Sequence, residues 1–173
     1  MERKRFRANH PHGFVARPVV VQDACGSGGG GEVDLRTWEC GIPGKLGTPW
    51  EGATYNLRME FPVDYPLSPP RCKFTPPVFH PNVYPDGVVC SSLLVAEGGH
   101  WHPGISVVEL LVALQAFLQD VNPSSPAQSD ALVLYVHDRD AYDRRVREGA
   151  AQRRLESASE RGGDAHDDEQ NLV

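Results

Sequence analysis

The chain has no long apolar run. Its 173 residues are 40% hydrophobic, yet no stretch approaches the ~20 consecutive apolar residues that a membrane-spanning helix needs. The basic first segment, residues 1–7, is not followed by the apolar stretch of a secretory signal. These absences disfavour a membrane partner and predict a protein of the nucleus and cytoplasm.

Closely spaced cysteine pairs are also absent. The four cysteines stand far apart in the sequence, at Cys25, Cys40, Cys72 and Cys90. We expect free thiols in a reducing compartment and no zinc site, because zinc sites use closely paired ligands. The one metal-like cue, His100-Trp-His102, is better explained by two surface histidines, so no metal is expected.

Lysine is scarce. Only Lys4, Lys45 and Lys73 occur, and arginine supplies the other fourteen of the 17 basic residues.

The net charge of -6 is unevenly spread, since residues 1–7 are basic and residues 156–169 are acidic. Few aromatic residues are interleaved with the basic ones and no zinc-finger spacing occurs, so a nucleic-acid partner is not expected.

Alternation of apolar and polar residues predicts strands. Between Tyr55 and Phe61 every second residue is apolar, and residues 37–42 alternate in the same way. This is the period of a half-buried strand. The predicted strands span residues 14–21, 37–42, 55–61 and 71–74. Four short strands in sequence predict an antiparallel meander sheet.

Helix signals lie on both sides of the strands. Residues 2–9 are rich in helix formers and predict a short N-terminal helix. Ser106-Val-Val-Glu109 is a capping box ahead of an apolar run with helical spacing. This central helix is expected to end before Asn122-Pro123, because a helix rarely continues to the residue before a proline.

Two further helices are predicted after the central one. Ser125-Pro-Ala-Gln128 has the form of a second capping box, with Pro126 in the first helical position and a helix to about Val136. A last helix, rich in arginine, is predicted from Asp140 to about Leu155. Strands followed by helices indicate an α+β fold.

The domain organisation follows from composition. We predict one domain over residues 1–155 and an acidic, disordered tail over residues 156–173. Residues 26–31 have the glycine-rich composition of a flexible linker. We expect a flexible loop over residues 23–34 between two strands, because the piece that precedes it is too short to fold alone.

Side chains suited to chemistry concentrate between His80 and Cys90. This stretch carries a histidine, an amide, a phenol and a thiol, at His80, Asn82, Tyr84 and Cys90. Its prolines and Gly87 keep it out of regular structure, and irregular segments on a scaffold often carry sites. The alternative is a surface loop with a stray buried cysteine.

Several motifs together resemble the ubiquitin-like-protein conjugating enzymes. His80-Pro-Asn82 followed by Cys90 is similar to that family's H-P-N tripeptide and thioester cysteine. Tyr65-Pro-Leu-Ser-Pro-Pro70 resembles its Y-P-x-x-P-P turn, and Trp101-His-Pro103 its W-x-P motif. The resemblance covers about residues 2–155, and it implies the ubiquitin-conjugating-enzyme fold.

Further segments resemble the branch of the family that conjugates SUMO, a ubiquitin-like modifier. They are His10 to Ala16, Trp38 to Lys45, Gly47 to Gly52 and His80 to Pro85. This resemblance implies SUMO, its activating enzyme, substrate proteins and SUMO ligases as partners of a monomeric enzyme without a cofactor. Ubiquitin or another modifier, and an inactive adaptor that only binds a modifier, remain as alternatives.

The resemblance implies a reaction with two transfers. Cys90 takes the modifier's C-terminal glycyl group as a thioester, and a substrate lysine then attacks it to form an isopeptide bond. Asn82 is the expected donor to the oxyanion, and as a turn residue that bonds its own backbone it also has a structural role, which is primary in the free enzyme. Tyr84 is expected to line the approach of the lysine, or else to be a surface aromatic, and His80 is assigned a structural role.

The resemblance also implies binding positions. Arg3, Arg7 and His10 match basic positions at which SUMO and the activating enzyme dock; otherwise they form a solvated basic helix face. Pro126-Ala-Gln128 matches the start of the substrate-side helix.

The chain departs from the SUMO branch around the expected lysine site. Ser125 stands where the branch usually has Asp, and it can cap a helix but carries no charge. Asp86 and Val88 replace Ser and Thr, and Leu132 replaces Tyr. We hypothesise that Asp86 partly compensates for the carboxylate missing at position 125, with a changed preference around the target lysine.

Overall fold

The fold is an antiparallel sheet with helices that follow it. The structure, a computed structural model, describes residues 6–7, 10–21 and 32–163. The strands are β1 (Val15–Val21), β2 (Glu32–Pro43), β3 (Thr54–Glu60) and β4 (Arg71–Phe74), and they pair in the order β1-β2-β3-β4. The predicted meander of four strands is therefore confirmed.

Three α-helices follow the sheet and a short 3₁₀ helix at Ser92–Leu94. They are α1 (Val107–Phe117), α2 (Ser129–His137) and α3 (Arg139–Gly163). Strands followed by helices give the predicted α+β class. None of the helices in the described ranges is both long and apolar enough to cross a membrane.

The core lies between the inner face of the sheet and α1. Alternate residues of β3 are buried, so Tyr55, Leu57 and Met59 all point inward. From α1, Leu111 and Leu114 are fully buried in the same cluster. This alternation is the two-residue period from which the strand was predicted.

The central helix begins at the predicted capping box. The Ser106 hydroxyl accepts a hydrogen bond from the Glu109 backbone N–H at 3.3 Å, and the Glu109 carboxylate accepts from the Ser106 backbone N–H at 2.8 Å. Gln115 in turn donates from Nε2 to the Pro43 carbonyl at 2.8 Å, which ties α1 to the end of β2.

The predicted cap at Ser125 is wrong. The N-cap residue of α2 is Gln128, and the helix begins at Ser129. The backbone N–H groups of Ala127 and Gln128 donate instead to the Pro81 carbonyl, at 2.7 and 3.1 Å. These N–H groups, which the Ser125 side chain would cap if a helix began there, are thus bonded to a residue distant in sequence, and the helix begins later.

The last helix runs past its predicted end near Leu155. It continues to Gly163, so the first part of the predicted acidic tail is helical; residues 164–173 lie outside the described residues. Tyr142, Val146 and Ala150 are buried on one face of this helix. Their spacing of four residues is the spacing of neighbours along a helix face.

Most of the predicted N-terminal helix cannot be compared with the structure. Phe6 and Arg7 are helical, whereas residues 1–5 and 8–9, including Arg3, lie outside the described residues. The same holds for residues 22–31, which contain Cys25 and most of the predicted flexible loop. Phe6 is buried, and its ring stacks on that of His10 at a centroid distance of 4.7 Å.

Candidate functional site

The segment from His80 to Cys90 folds back on itself through consecutive turns. Val83 N–H donates to the His80 carbonyl at 3.0 Å, and Tyr84 N–H donates to the Val88 carbonyl at 2.9 Å. Cys90 N–H donates to the Asn82 carbonyl at 2.9 Å. The thiol-bearing residue is thereby fixed beside Asn82 by backbone hydrogen bonds. We call residues 80–90 the cysteine loop.

Gly87 attaches the cysteine loop to β4. Its carbonyl accepts a hydrogen bond from Phe74 N–H at 2.9 Å, and its φ of +96° lies in the region that favours glycine. A Cβ atom at this position would collide with the Phe74 carbonyl oxygen. The turn therefore requires glycine for both its backbone angle and its close approach to the strand.

Cys90 differs from the other described thiols in its accessibility. Cys90 is partly exposed, whereas Cys40 and Cys72 are 4% and 1% exposed. Burial raises the pKa of the Cys40 thiol to about 12, with a smaller contribution from Glu39, and burial also raises the pKa of Cys72. Because the thiolate is the nucleophile, Cys40 and Cys72 are inert in this fold.

Asn82 connects the cysteine loop to the segment before α2. Its side-chain NH₂ donates to the carbonyls of Asn122 and Ser125, at 2.7 and 2.8 Å, and its carbonyl accepts from Asn122 N–H at 2.8 Å. The residue is 1% exposed. Both amide hydrogens are thus engaged. A role in stabilising an oxyanion stays a prediction, and it requires that one of these bonds be released.

Ser125 lies beside the thiol as a result. Its Oγ atom is 3.8 Å from Cys90 Sγ, within the range of a weak hydrogen bond to sulfur. This places Ser125 in the cysteine site even though it does not cap α2. The sequence did not single out Asn122, which contacts Asn82 through both its N–H and its carbonyl. In the sequence, the Asn122-Pro123 pair indicates only the end of a helix.

His80 is held as a neutral ring in the core. It is fully buried, and its ring lies 4.7 Å from that of Phe117 and 6.0 Å from that of Trp50. Nδ1 accepts from Asn82 N–H at 3.0 Å, which puts the ring proton on Nε2. Burial lowers the pKa of His80 to about 3, against an opposing contribution from the Phe117 backbone. A buried ring with this pKa cannot serve as a general base, which agrees with its assignment to structure.

Tyr84 and Asp86 lie on the exposed side of the cysteine loop. Tyr84 is 46% exposed. Asp86 accepts from Val88 N–H at 3.1 Å, and its other carboxylate oxygen is 4.0 Å from Lys73 Nζ on β4. Because both charged side chains are well exposed, this ion pair is a weak one. The carboxylate is held near the loop's turn, where an incoming molecule can reach it.

Pro126-Ala-Gln128 lies directly against the cysteine loop. Besides the two backbone bonds to Pro81, the Gln128 side-chain carbonyl accepts from His80 N–H at 3.2 Å. The resemblance implies that this segment begins the substrate-side helix, and the structure places it in contact with His80 and Pro81. Its role in binding substrates stays a prediction.

Of the predicted basic docking residues, the structure describes Arg7 and His10. Arg7 is exposed, and His10 Nδ1 lies 2.9 Å from the Phe6 carbonyl. None of the contacts described for them involves the cysteine loop. Within the described ranges, no group of three or more His, Cys, Asp or Glu side chains could hold a metal ion. His100 pairs with the Ser92 hydroxyl at 3.0 Å.

Comparison with known proteins decides the family. Residues 1–150 match the family model described as ubiquitin-conjugating enzyme. The chain belongs to the ubiquitin-conjugating enzyme family. Members of this family are transferases that act through a cysteine thioester. Among the described cysteines only Cys90 is not buried, and its role as the thioester cysteine stays a prediction.

Several relatives of this ubiquitin-conjugating enzyme are SUMO-conjugating enzymes. The chain is 49% identical over 146 residues to SCE1 of Arabidopsis thaliana, covering 84% of this chain and 86% of the relative. It is 47% identical over 149 residues to UBC9 of Caenorhabditis elegans, covering 86% and 85%. It is 44% identical over 146 residues to ubc9 of Dictyostelium discoideum, covering 84% and 87%.

Proposed function

We propose that this enzyme conjugates SUMO to lysine side chains of substrate proteins. The observation that carries the proposal is the placement of the Cys90 thiol, which is accessible and held beside Ser125 by the buried amide of Asn82. The similarity to SUMO-conjugating enzymes, 44% to 49% identity over most of the chain, favours SUMO as the carried modifier.

The first step exchanges one thioester for another. The Cys90 thiolate attacks the C-terminal glycyl carbonyl of SUMO, which is bound to a cysteine of the activating enzyme. A bond forms from the carbonyl carbon to Cys90 Sγ, and the bond to the other sulfur breaks, so that the activating enzyme leaves as a thiolate. A thiolate suits both roles because it is a good nucleophile and a good leaving group.

The second step forms the isopeptide bond. A neutral substrate lysine attacks the thioester carbonyl, so that a bond forms from its nitrogen to the carbonyl carbon and an oxyanion develops. The bond to Cys90 Sγ then breaks, Cys90 leaves as a thiolate, and the extra proton on the nitrogen passes to solvent. The reference pKa of lysine is ~10.4, so the amine must lose a proton through desolvation and hydrogen bonding as it approaches. Tyr84 and Asp86 are exposed side chains of the cysteine loop, which supports contact with the incoming lysine, and Ser125 Oγ lies 3.8 Å from Cys90 Sγ.

Asn82 acts in this second step in one of two ways. It can release a backbone carbonyl and donate to the oxyanion, or it can hold the segment 122–125 at a fixed position beside the thiol. Loss of an oxyanion donor typically lowers the rate by about 10²–10³. The three hydrogen bonds of the free protein favour a positioning role before substrate arrives.

Partners follow from the same proposal. The activating enzyme and SUMO bind at the basic N-terminal surface that includes Arg7 and His10, away from the contacts of the cysteine loop. Substrates approach along the cysteine loop and the segment Pro126-Ala-Gln128, aided by SUMO ligases. The enzyme works as a monomer in the nucleus and the cytoplasm.

A loading assay with different modifiers tests the proposal. The protein is incubated with ATP and either SUMO and its activating enzyme or ubiquitin and its activating enzyme, and adducts are resolved on a non-reducing gel. We expect a SUMO adduct that dithiothreitol removes and no comparable ubiquitin adduct. A ubiquitin adduct alone would reassign the modifier, and no adduct with any modifier would favour an adaptor that binds without catalysis.

A further inference from the structure

Two arginines of α3 reach the segment that leads into the cysteine loop. This segment, residues 76–79, begins with two prolines and continues through Val78 and Phe79 to His80. Proline has no backbone N–H, so Pro76 and Pro77 cannot donate hydrogen bonds to a neighbouring strand. The two prolines can therefore be held only through their carbonyl groups and rings.

Arg153 holds the two proline carbonyls. Its Nη2 atom donates to Pro76 O at 3.1 Å and to Pro77 O at 2.8 Å. The same guanidinium lies 5.3 Å from the ring centroid of Tyr55, which is 1% exposed and belongs to β3. One planar group thus spans the segment and the sheet, a geometry that the fixed fork of arginine donors favours.

Arg145 covers the other end of the segment. Its guanidinium carbon lies 3.9 Å from the centroid of the Phe79 ring, a cation–π distance. Phe79 is half-buried and its ring lies 5.9 Å from that of Tyr142, also on α3. The residue immediately before His80 is therefore enclosed by α3 from two sides.

The contacts continue from this segment to the thiol. Asn82 lies two residues after His80, and its backbone N–H donates to the His80 ring at 3.0 Å. The Asn82 amide holds the Ser125 carbonyl at 2.8 Å, and Ser125 Oγ is 3.8 Å from Cys90 Sγ. Hydrogen bonds and covalent neighbours thus connect residues 76–79 to the Asn82 amide and, through Ser125, to the thiol.

We propose that Arg145 and Arg153 are positioning residues that fix the cysteine loop for transfer of the modifier to lysine. The inference rests on the proposed function and adds to it a role for α3, a helix that supplies no side chain to the thiol itself. The step that depends on Asn82 is the second one. Loss of the two arginines should therefore slow discharge of the thioester more than its formation.

Stability of the fold alone would not explain such an effect. α3 is anchored by its buried face of Tyr142, Val146 and Ala150, which the arginines do not share. Arg145 is exposed and Arg153 is only partly buried. The hydrogen bonds of Arg153 and the cation–π contact of Arg145 each contribute about 1–2 kcal/mol to the free energy of unfolding, which is a small part of the stability supplied by the core. Their removal is expected to loosen one segment and leave the fold in place.

The experiment compares matched substitutions on one helix. Arg153→Met removes the donors and keeps the length of the side chain, Arg153→Lys keeps a donor, and the double variant R145M/R153M removes both contacts. Arg147→Met is the control, because Arg147 is an exposed arginine of α3 that pairs only with Asp143 at 3.9 Å among its described contacts. For each variant, the rate of thioester formation, the single-turnover rate of discharge to free lysine and the melting temperature are measured.

We expect the double variant to discharge about tenfold more slowly, because displacement of a reacting group by a fraction of an ångström has large effects on rate. Its loading rate and melting temperature should stay close to those of the parent protein. Arg153→Lys should recover part of the loss, and Arg147→Met should match the parent. Unchanged discharge in the double variant would overturn the inference, as would loading and discharge that fall together with the melting temperature.

Amide hydrogen exchange separates this inference from the proposed function. Loosening of the segment predicts faster exchange at residues 78–82 in R145M/R153M than in Arg147→Met, whether or not the protein carries SUMO. Equal exchange in the two variants would overturn the inference even if the parent loads normally. If the parent forms no thioester with any modifier, the proposed function fails and the exchange result still decides the positioning role.

Discussion

At the scale of single residues, the amide of Asn82 has the most demanding surroundings. It lies 1% exposed between two segments that are 40 residues apart in sequence, and it uses both amide hydrogens and its carbonyl in hydrogen bonds. Leaving buried partners unsatisfied costs about 1–3 kcal/mol. The Asn82 side chain therefore holds residues 122–125 in place and is also the amide proposed to act in the transfer step.

Substitution of Asn82 by alanine should affect both stability and rate. We expect the free energy of unfolding to fall by about 1–3 kcal/mol, because the backbone groups of Asn122 and Ser125 lose their partner. Discharge of the thioester to lysine should slow as well. Chemical denaturation and single-turnover assays measure the two effects. Asn56→Ala, at an exposed position of β3, is the control. An Asn82 variant with unchanged stability would contradict the positioning role.

The carboxylate of Asp86 is the group hypothesised to compensate for the uncharged Ser125. The variant Asp86→Asn keeps the acceptor for Val88 N–H but removes the charge that lies 4.0 Å from Lys73. We expect discharge to a peptide lysine to fall about fivefold, since one exposed carboxylate within a few ångströms of the lysine ammonium group contributes about 1 kcal/mol. Asp140→Asn, on an exposed turn of α3, should have no effect. A parental rate in Asp86→Asn would exclude compensation by this carboxylate.

His80 makes stability depend on pH. Its pKa is lowered from 6.5 to about 3 by burial, so between these values the unfolded chain binds a proton that the folded protein does not. Stability contributed by the neutral ring is therefore lost as pH falls from 6.5 towards 3, with a slope of at most about 1.4 kcal/mol per pH unit. NMR of the ring should show no titration of His80 between pH 7 and pH 5. A midpoint near 6.5 would contradict the buried, neutral ring.

At the scale of elements, the turn at Gly87 determines how the cysteine loop meets β4. We expect Gly87→Ala to slow both loading and discharge and to destabilise the protein by about 1–3 kcal/mol, because the added methyl collides with Phe74 and the φ is unfavourable. Gly47→Ala is a matched control. Gly47 also has a positive φ, of +74°, but nothing lies within 4 Å of the added atom. Equal losses of activity in the two variants would show that the contact with Phe74 is unimportant.

Much of the fold could be predicted because local patterns and packing agree. The alternation at Tyr55, Leu57 and Met59 marked β3, and the Ser106 capping box marked the start of α1 to the residue. The Ser125 box has the same local form but failed, since Pro81 accepts the bonds of Ala127 and Gln128. A capping signal predicts a helix start only where no distant group competes for the same donors.

The residue types of the candidate site could be predicted from the sequence, but the hydrogen bonds that join its segments could not. Cys90, Asn82 and Tyr84 could be chosen from residue type and motif. The bonds from Asn82 to Asn122 and Ser125 join positions distant in sequence, and no local pattern encodes them. The extension of α3 was missed for a related reason. Residues 156–163 are polar or small and offer no apolar stripe from which a helix could be predicted.

At the scale of the whole molecule, the described thiols are divided by the fold into two classes. Cys40 and Cys72 lie in the core against the inner face of the sheet, where burial raises their pKa values, and Cys90 lies on an exposed loop beside Ser125. The cysteine loop is attached to the sheet through Phe74 and to α1 through the His80 ring, which lies against Phe117. It is attached to α3 through residues 76–79, whose proline carbonyls accept from Arg153. Cys90 is therefore the thiol that we propose as the carrier of the activated modifier.

The most direct test follows the adduct on cysteine variants of the full chain. The parent protein, Cys90→Ala and the control Cys40→Ala are each incubated with SUMO, its activating enzyme and ATP, and intact masses are measured with and without dithiothreitol. The account predicts a dithiothreitol-sensitive gain of one SUMO in the parent and in Cys40→Ala, and none in Cys90→Ala. A thioester of the same mass on Cys90→Ala would contradict it.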